Sequence, residues 1–268
     1  MWHSSRSETE PTSVPATEPA RVRPTVLVIA ATDSSGGAGL VRDVRVLGDF
    51  SIDAVCAVTA VTAQSDSRVC AVHHVPPEVI RAQIVAAFET RRVKAIKIGM
   101  LGTRATVEAI VESLPPGASI PIVLDPVLVS SSGGVLLDAD GCAAMREKLF
   151  PRATLVTPNA PEVAALLGEN VATRERELIE QAQSLLALGP QAVLLKGGHM
   201  SGEQAVDLLI SGNNNLQRMA SARLRATSRG TGCTLASAIT AGLASGLALF
   251  EACQQAKRHV VEMLSRQS

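Results

Sequence analysis

Gly230-Thr231-Gly232-Cys233 joins a backbone almost free of side chains to a thiol. Two glycines let backbone N–H groups approach an anion without obstruction. The segment follows a strand-and-loop stretch, Gln217 to Arg229, and precedes a long apolar run, Thr234 to Leu249, so it opens a helix. The first N–H groups of a helix lack intrahelical partners, and the helix dipole adds partial positive charge there. Such a turn is a cradle for a phosphate or an oxyanion. Cys233, at the same helix start, is predicted to shift toward thiolate. A glycine-rich turn beside a buried structural cysteine is the competing reading of these residues taken alone.

Other polar or glycine residues close apolar runs elsewhere: Asp33, Gln64, Gly99, Asp125, Asn159 and Lys196. Singly, each has a plain structural reading. Asp125 before Pro126 forms turns, Glu162 suits the first turn of a helix, and Lys196 suits a surface. Together with the cradle they supply carboxylates, a lysine and amides. That set fits phosphoryl transfer, in which a metal ion and a lysine neutralise phosphate charge and backbone N–H groups stabilise the transferring group.

The elements that must position them alternate. Thr25 to Ala31 is continuously apolar, as in a strand buried on both faces. It runs into Asp33-Ser-Ser-Gly-Gly-Ala-Gly39, and a helix is predicted from about Leu40 to Leu47. The loop has neither the lysine of a phosphate-binding P-loop nor the G-x-G-x-x-G dinucleotide pattern. Further strands are predicted at 54–60, 95–101, 121–126, 153–158 and 192–199. A hairpin is predicted from 205–210 and 217–224, and 68–75 is an added strand or a flap. Helices are predicted at 77–90, from the N-cap Thr103 to Leu114, at 138–149, from Asn159 onward, from the N-cap Thr173 to Leu188, after Cys233, and from Leu249 to about Leu264. This reads as one α/β domain, residues 25–268, around a mostly parallel sheet. Such sheets bind ligands outside the carboxyl ends of their strands. Residues 1–24, rich in Pro, Ser, Thr and Glu, read as a disordered tail.

Composition excludes several classes. The formal net charge is zero, with one Trp, four Phe and no Tyr, which leaves no basic footprint and few stacking platforms for nucleic acid. No run of 18 apolar residues predicts a membrane span. The five widely spaced cysteines read as reduced thiols in a cytoplasmic protein, with Cys56 and Cys70 placed in the core.

Taken in order, the segments Asp33 to Gly39, Thr62-Ala-Gln64, Lys97-Ile-Gly-Met-Leu101, Val123-Leu-Asp-Pro-Val127, Val156-Thr-Pro-Asn159 with Glu162, Lys196-Gly-Gly-His199 and Gly230-Thr-Gly-Cys-Thr234 resemble the hydroxymethylpyrimidine/phosphomethylpyrimidine kinases. These belong to the thiamin-biosynthesis branch of the ribokinase-like superfamily. The resemblance implies a three-layer α/β/α fold, and ATP with Mg²⁺ as cofactors. The implied acceptors are 4-amino-5-hydroxymethyl-2-methylpyrimidine and its monophosphate. It places Ala31, Asp43, Gln64, Met100, Val127 and Cys233 at the pyrimidine. Lys196, Thr231 and Gly232 fall at the ATP phosphates, with Gly230 completing the cradle. Asp125 and Glu162 hold Mg²⁺, directly or through water. Cys233 takes the hydroxymethyl proton or positions that group. A homodimer is implied, with segment 68–75 a candidate edge or lid. Pyridoxal kinase on the same fold, and a non-catalytic pyrimidine-binding paralogue, are the alternatives. The chain departs from the family pattern at Ser65-Asp66, at Gly134, and at Thr227-Ser228-Arg229, where Arg229 either adds charge near the ATP phosphates or points to solvent.

Overall fold

Alternate residues of the first apolar run enter opposite cores. Leu27 and Ile29 pack with Ile80, Ile84, Val107 and Ile110, whereas Val26, Val28 and Ala30 pack with Leu47 and Ala241. This strand is therefore buried on both faces, as its unbroken apolar sequence requires. The computed structural model describes residues 22–116, 120–130, 133–197, 203–212, 215–224 and 228–266. Residues 1–21 of the expected tail, His199 and Thr227 lie outside the described residues.

The strands are β1 (Thr25–Asp33), β2 (Asp53–Gln64), β3 (Val69–His74), β4 (Val93–Ile98), β5 (Ile122–Leu124), β6 (Leu155–Val156), β7 (Ala192–Leu195), β8 (Gln204–Ser211) and β9 (Asn215–Ala222). They form one nine-stranded sheet in the order β3-β2-β1-β4-β5-β6-β7-β8-β9. From β2 to β7 neighbouring strands run parallel, while β3, β8 and β9 add antiparallel pairs at the two edges. The helices are α1 (Gly39–Asp49), α2 (Pro77–Thr90), α3 (Arg104–Ser113), α4 (Ala139–Ala144), α5 (Ala160–Leu167), α6 (Glu175–Leu186), α7 (Thr231–Ala244) and α8 (Leu249–Ser265). Residues of α2, α3, α5 and α6 share one core with the sheet; residues of α1, α7 and α8 fill the cores on the other face. The result is the expected three-layer α/β/α arrangement.

From β1 the chain steps outward to β2 through α1. It then returns across β1 to β4 through α2 on the opposite face. That reversal leaves a crevice at the carboxyl ends of β1 and β4, where open α/β sheets hold ligands.

Several local expectations change. The predicted helix over 138–149 is α4, continued by a π-helical turn, Met145–Leu149, and a 3₁₀ turn, Phe150–Arg152, that Pro151 helps to end. Thr173 is not the N-cap of α6. The Glu177 carboxylate accepts hydrogen bonds from Thr173 N and Arg174 N, so the helix begins later, after Arg174. Cys70 is exposed on the edge strand β3 and Cys56 is half-buried, so neither is the core residue expected. Segment 69–74 is a strand, and it pairs with β2 to make a two-stranded arm.

Thr103 is the N-cap of α3, its side chain accepting the Thr106 N–H. Thr103→Ala is expected to lower stability by about 1 kcal/mol in urea unfolding, and an unchanged midpoint would contradict this cap.

Candidate active site

The cradle begins with Gly230, whose φ of +74° is a left-handed conformation that glycine adopts without strain. Any side chain there would also collide with the Gly37 carbonyl oxygen, so the loop after β1 and the start of α7 are locked together. Thr234 N–H is bonded to Gly230 O at 2.8 Å, closing the first helical turn. The N–H groups of Thr231, Gly232 and Cys233 come before it and have no intrahelical acceptor. A Cβ placed on Gly232 would lie 3.2 Å from Lys196 Nζ and 3.6 Å from Asp125 Oδ2. The open face of the cradle therefore looks onto that lysine and that carboxylate.

Beneath it runs a row of alternating charges. Lys97 stands on β4 between Ile96 and Ile98, but points to the α1–α7 face. There its ammonium meets Asp43 Oδ2 at 2.7 Å, with both side chains fully buried. Ser237 of α7 donates to the other oxygen of Asp43 at 2.8 Å. Lys196 Nζ, just past β7, is 3.0 Å from Asp125 Oδ1 and 3.5 Å from Glu162 Oε2. Thr157 donates to Asp125 Oδ1 at 3.2 Å. Asn159 caps α5, its side chain accepting from Glu162 N, and the Glu162 carboxylate accepts from Asn159 N at 2.7 Å, which fixes the carboxylate in the first turn.

Burial works against each of these charges, and the neighbours decide the outcome. Burial would lower the Lys97 and Lys196 pKa values, but the carboxylates beside them raise both above the ordinary range. Asp125 is also desolvated, yet Lys196 and Lys97 together hold its pKa below the usual carboxylate range. Glu162 goes the other way: burial pushes it up more than Lys196 pulls it down. Cys233 corrects the thiolate expectation. Desolvation, with the Asp43 and Asp125 carboxylates adding to it, raises the thiol to about 11 despite the Lys97 ammonium. The helix start alone does not decide a cysteine that has lost its water.

Lys97, Asp125, Glu162, Lys196 and Cys233 line one cavity of about 830 Å³. Ala31, Gln64, Met100, Val127 and Cys233 wall one end. Asp125, Glu162, Lys196 and Gly230 to Gly232 form the middle, and β8, β9 and α8 enclose the far end. Asp43 does not reach the cavity. It is 0 % exposed and acts through Lys97, which does line the cavity. Lys97 is thus a site residue that the sequence reading did not single out, although a lysine inside Ala95-Ile-Lys-Ile was the available signal. Asp33 is at the rim, but its own loop uses its carboxylate, accepting from Ser35 N and Ala38 N at 2.9 Å each.

On the far side, Asp207 accepts from Gly197 N and from Lys257 Nζ, each at 2.8 Å, and so anchors the chain immediately after Lys196. Arg229 does not point to solvent; it lines the same cavity as Gly230 to Gly232. It is engaged with Asp33 and Asp66, 3.1 Å and 3.0 Å away.

A phosphate cradle, a lysine–carboxylate cluster at the strand ends and a mostly parallel sheet between helical layers define a kinase of the ribokinase-like class. The family profile for phosphomethylpyrimidine kinase matches residues 33–268. The chain is 41% identical over 240 residues to the hydroxymethylpyrimidine/phosphomethylpyrimidine kinase of Rhizobium meliloti (strain 1021), covering 89% of this chain and 90% of that one. The crystal structure of phosphomethylpyrimidine kinase from Clostridium difficile 630 superposes with a TM-score of 0.78 at 35% identity, covering 89% of this chain and 98% of that one. Pyridoxal kinase of Bacillus subtilis, solved as an ADP complex, gives a TM-score of 0.80 at 32% identity, covering 88% and 89% of the two chains. The chain belongs to the phosphomethylpyrimidine kinase family.

Two outcomes follow from the site. Lys97→Met leaves Asp43 buried without its counter-charge and is expected to cost about 3–5 kcal/mol in denaturant unfolding; a loss under about 1 kcal/mol would contradict the buried pair. Alkylation of Cys233, followed by mass spectrometry of its peptide, is expected to rise with pH toward a midpoint near 11. A midpoint below that of an ordinary cysteine would contradict the desolvated thiol.

Proposed function

We propose that this kinase transfers the γ-phosphate of ATP to the hydroxymethyl group of 4-amino-5-hydroxymethyl-2-methylpyrimidine, and then a second phosphate to the monophosphate, in thiamin biosynthesis. The observation that carries this reading is the cradle of Thr231, Gly232 and Cys233 opening onto Lys196 and Asp125 inside the cavity that Gln64 and Met100 also line. In this reading Gln64 pairs with the aminopyrimidine edge, since one amide offers both a donor and an acceptor. Ala31, Met100 and Val127 pack the ring. The cradle N–H groups and Lys196 meet the transferring phosphate, whose charge is spread over its oxygens in a loose transition state.

Mg²⁺ fits the donor set. Among the described residues no group of three or more His, Cys, Asp or Glu side chains forms a metal cage. Mg²⁺ instead favours one or two carboxylates completed by substrate phosphates and water. Asp125 and Glu162 supply that pair. Around the site three carboxyls, Asp43, Asp125 and Glu162, face two lysines, Lys97 and Lys196, so one acid has no lysine of its own to offset it. When bound, the ion would neutralise phosphate charge.

Cys233 enters as a neutral thiol. We assign it the positioning role: it holds the hydroxymethyl group in line with the phosphate, and proton loss comes late. The free cysteines support a cytoplasmic enzyme. The exposed edge strand β3 supports a homodimer. Residues 25–268 act as a single kinase domain.

The test is ATP-dependent phosphate transfer to the pyrimidine alcohol, to its monophosphate and to pyridoxal. The likeness to pyridoxal kinase makes pyridoxal the second reading. Both pyrimidines are expected to exceed pyridoxal by at least about tenfold in kcat/KM, the size of one well-placed polar contact. The reverse order would establish the second reading. Cys233→Ala is expected to lose about tenfold in kcat, less than the ~10²–10⁴ of a general base. A loss beyond about 10³ would give Cys233 the base role instead.

A further inference from the structure

The arm formed by β2 and β3 ends in a turn at Ser65–Arg68, closed by Ser65 N donating to Arg68 O at 2.9 Å. Gln64, the last residue of β2, brings this arm to the ring end of the cavity. Its base is fastened to the loop after β1: Ser34 Oγ accepts from Gln64 N and donates to Gln64 O, each at 2.8 Å. Among the described residues, the side chain from elsewhere that hydrogen-bonds the turn beyond Gln64 is that of Arg229. Arg229, immediately before the cradle glycine, sends one guanidinium nitrogen to Ser65 O at 3.0 Å, Asp66 Oδ1 at 3.0 Å and Ser35 Oγ at 3.1 Å. The other nitrogen meets Asp33 Oδ2 at 3.1 Å. One planar cation therefore ties together the turn, the loop after β1 and the start of α7.

We infer that Arg229 is a positioning residue that clasps the β2–β3 arm over the acceptor pocket, with Asp66 as the releasable half of the clasp. This rests on the acceptor lying at Gln64. The two partners differ in kind. Asp33 is buried, with 4 % of its side chain exposed, and two backbone N–H groups already hold it. The Asp66 side chain is 89 % exposed, against 17 % for Arg229. The Arg229–Asp33 contact is thus shielded, whereas the Arg229–Asp66 contact faces water and is screened by salt. The guanidinium fork suits this role, because it binds several oxygens at fixed angles where a lysine would bind as a point charge. Engagement with two carboxylates turns the cation toward the arm. The clasp accordingly acts on the acceptor and not on ATP.

The experiment combines amide hydrogen exchange of peptides covering residues 64–68 with steady-state kinetics. The proteins are the wild type, Asp66→Ala, Arg229→Met, Arg229→Lys and the Asp66→Ala/Arg229→Met double variant. Exchange in the free protein is expected to speed up in Asp66→Ala and further in Arg229→Met, with no additional increase in the double variant. This readout stands even if no pyrimidine is phosphorylated, so failure of the substrate assignment and failure of the clasp are distinguishable. In kinetics, the KM for the acceptor is expected to rise about threefold in Asp66→Ala and about tenfold in Arg229→Met, within the range of one exposed and one shielded charge contact. Arg229→Lys is expected to fall between wild type and Arg229→Met. The KM for ATP stays within about twofold, and added salt raises the acceptor KM of the wild type but not of Asp66→Ala. Unchanged exchange in Asp66→Ala, additive effects in the double variant, or a shift in the KM for ATP instead of the acceptor would each overturn the proposal.

Discussion

Five buried or half-buried charges arranged in alternation hold this site together. Lys97 lies between Asp43 and Asp125, and Lys196 lies between Asp125 and Glu162. Each charge taken alone would cost several kcal/mol to remove from water. Each survives because a neighbour of opposite sign is within bonding distance and hydroxyl or backbone donors satisfy further oxygens. The row therefore behaves as a unit. It holds Asp125 below the usual carboxylate range, and it gives the cradle above it a charged floor whose geometry side-chain rotation cannot easily change.

The architecture serves that row. Parallel pairing from β2 to β7 aligns the strand ends, so that Gln64, Gly99, Asp125 and Lys196 emerge along one edge although they are far apart in the chain. An isolated parallel bridge between Asn159 and Lys196 extends the β6–β7 pairing to the point where the lysine leaves the sheet. Behind the sheet, α1 and α7 bring Asp43 and Ser237 to Lys97, the buried lysine of β4. The loop after β1 and the first turn of α7 touch through glycine, which is why Gly230 to Cys233 and Gln64 line one cavity.

Much of this was legible in the sequence. The unbroken apolar runs announced strands buried on both faces, and glycine or polar residues closing them marked the functional edge. Helix α2 has the predicted boundaries, Pro77 to Thr90. What sequence could not supply was tertiary. Asp43 was expected at the ligand, but a residue on the inner face of α1 is aimed at Lys97, and only the packing of α1 on β1 and α7 reveals it. Local reasoning gave Cys233 a helix-dipole environment and predicted a thiolate. Its loss of water and the carboxylates of Asp43 and Asp125 come from distant segments, and they reverse the sign. The contact between Arg229 and Asp66 joins positions 163 residues apart. No local pattern encodes that contact.

The central claim is that one cavity holds both the transferring phosphate and the alcohol that accepts it, with Cys233 between them. A crystal structure with a non-hydrolysable ATP analogue and the pyrimidine alcohol tests it most directly. The account predicts the terminal phosphate on the N–H groups of Thr231 to Cys233 beside Lys196, the aminopyrimidine edge on Gln64, and the hydroxymethyl oxygen against Cys233 Sγ. A pyrimidine bound away from Gln64, or a terminal phosphate that leaves the cradle empty, would contradict it.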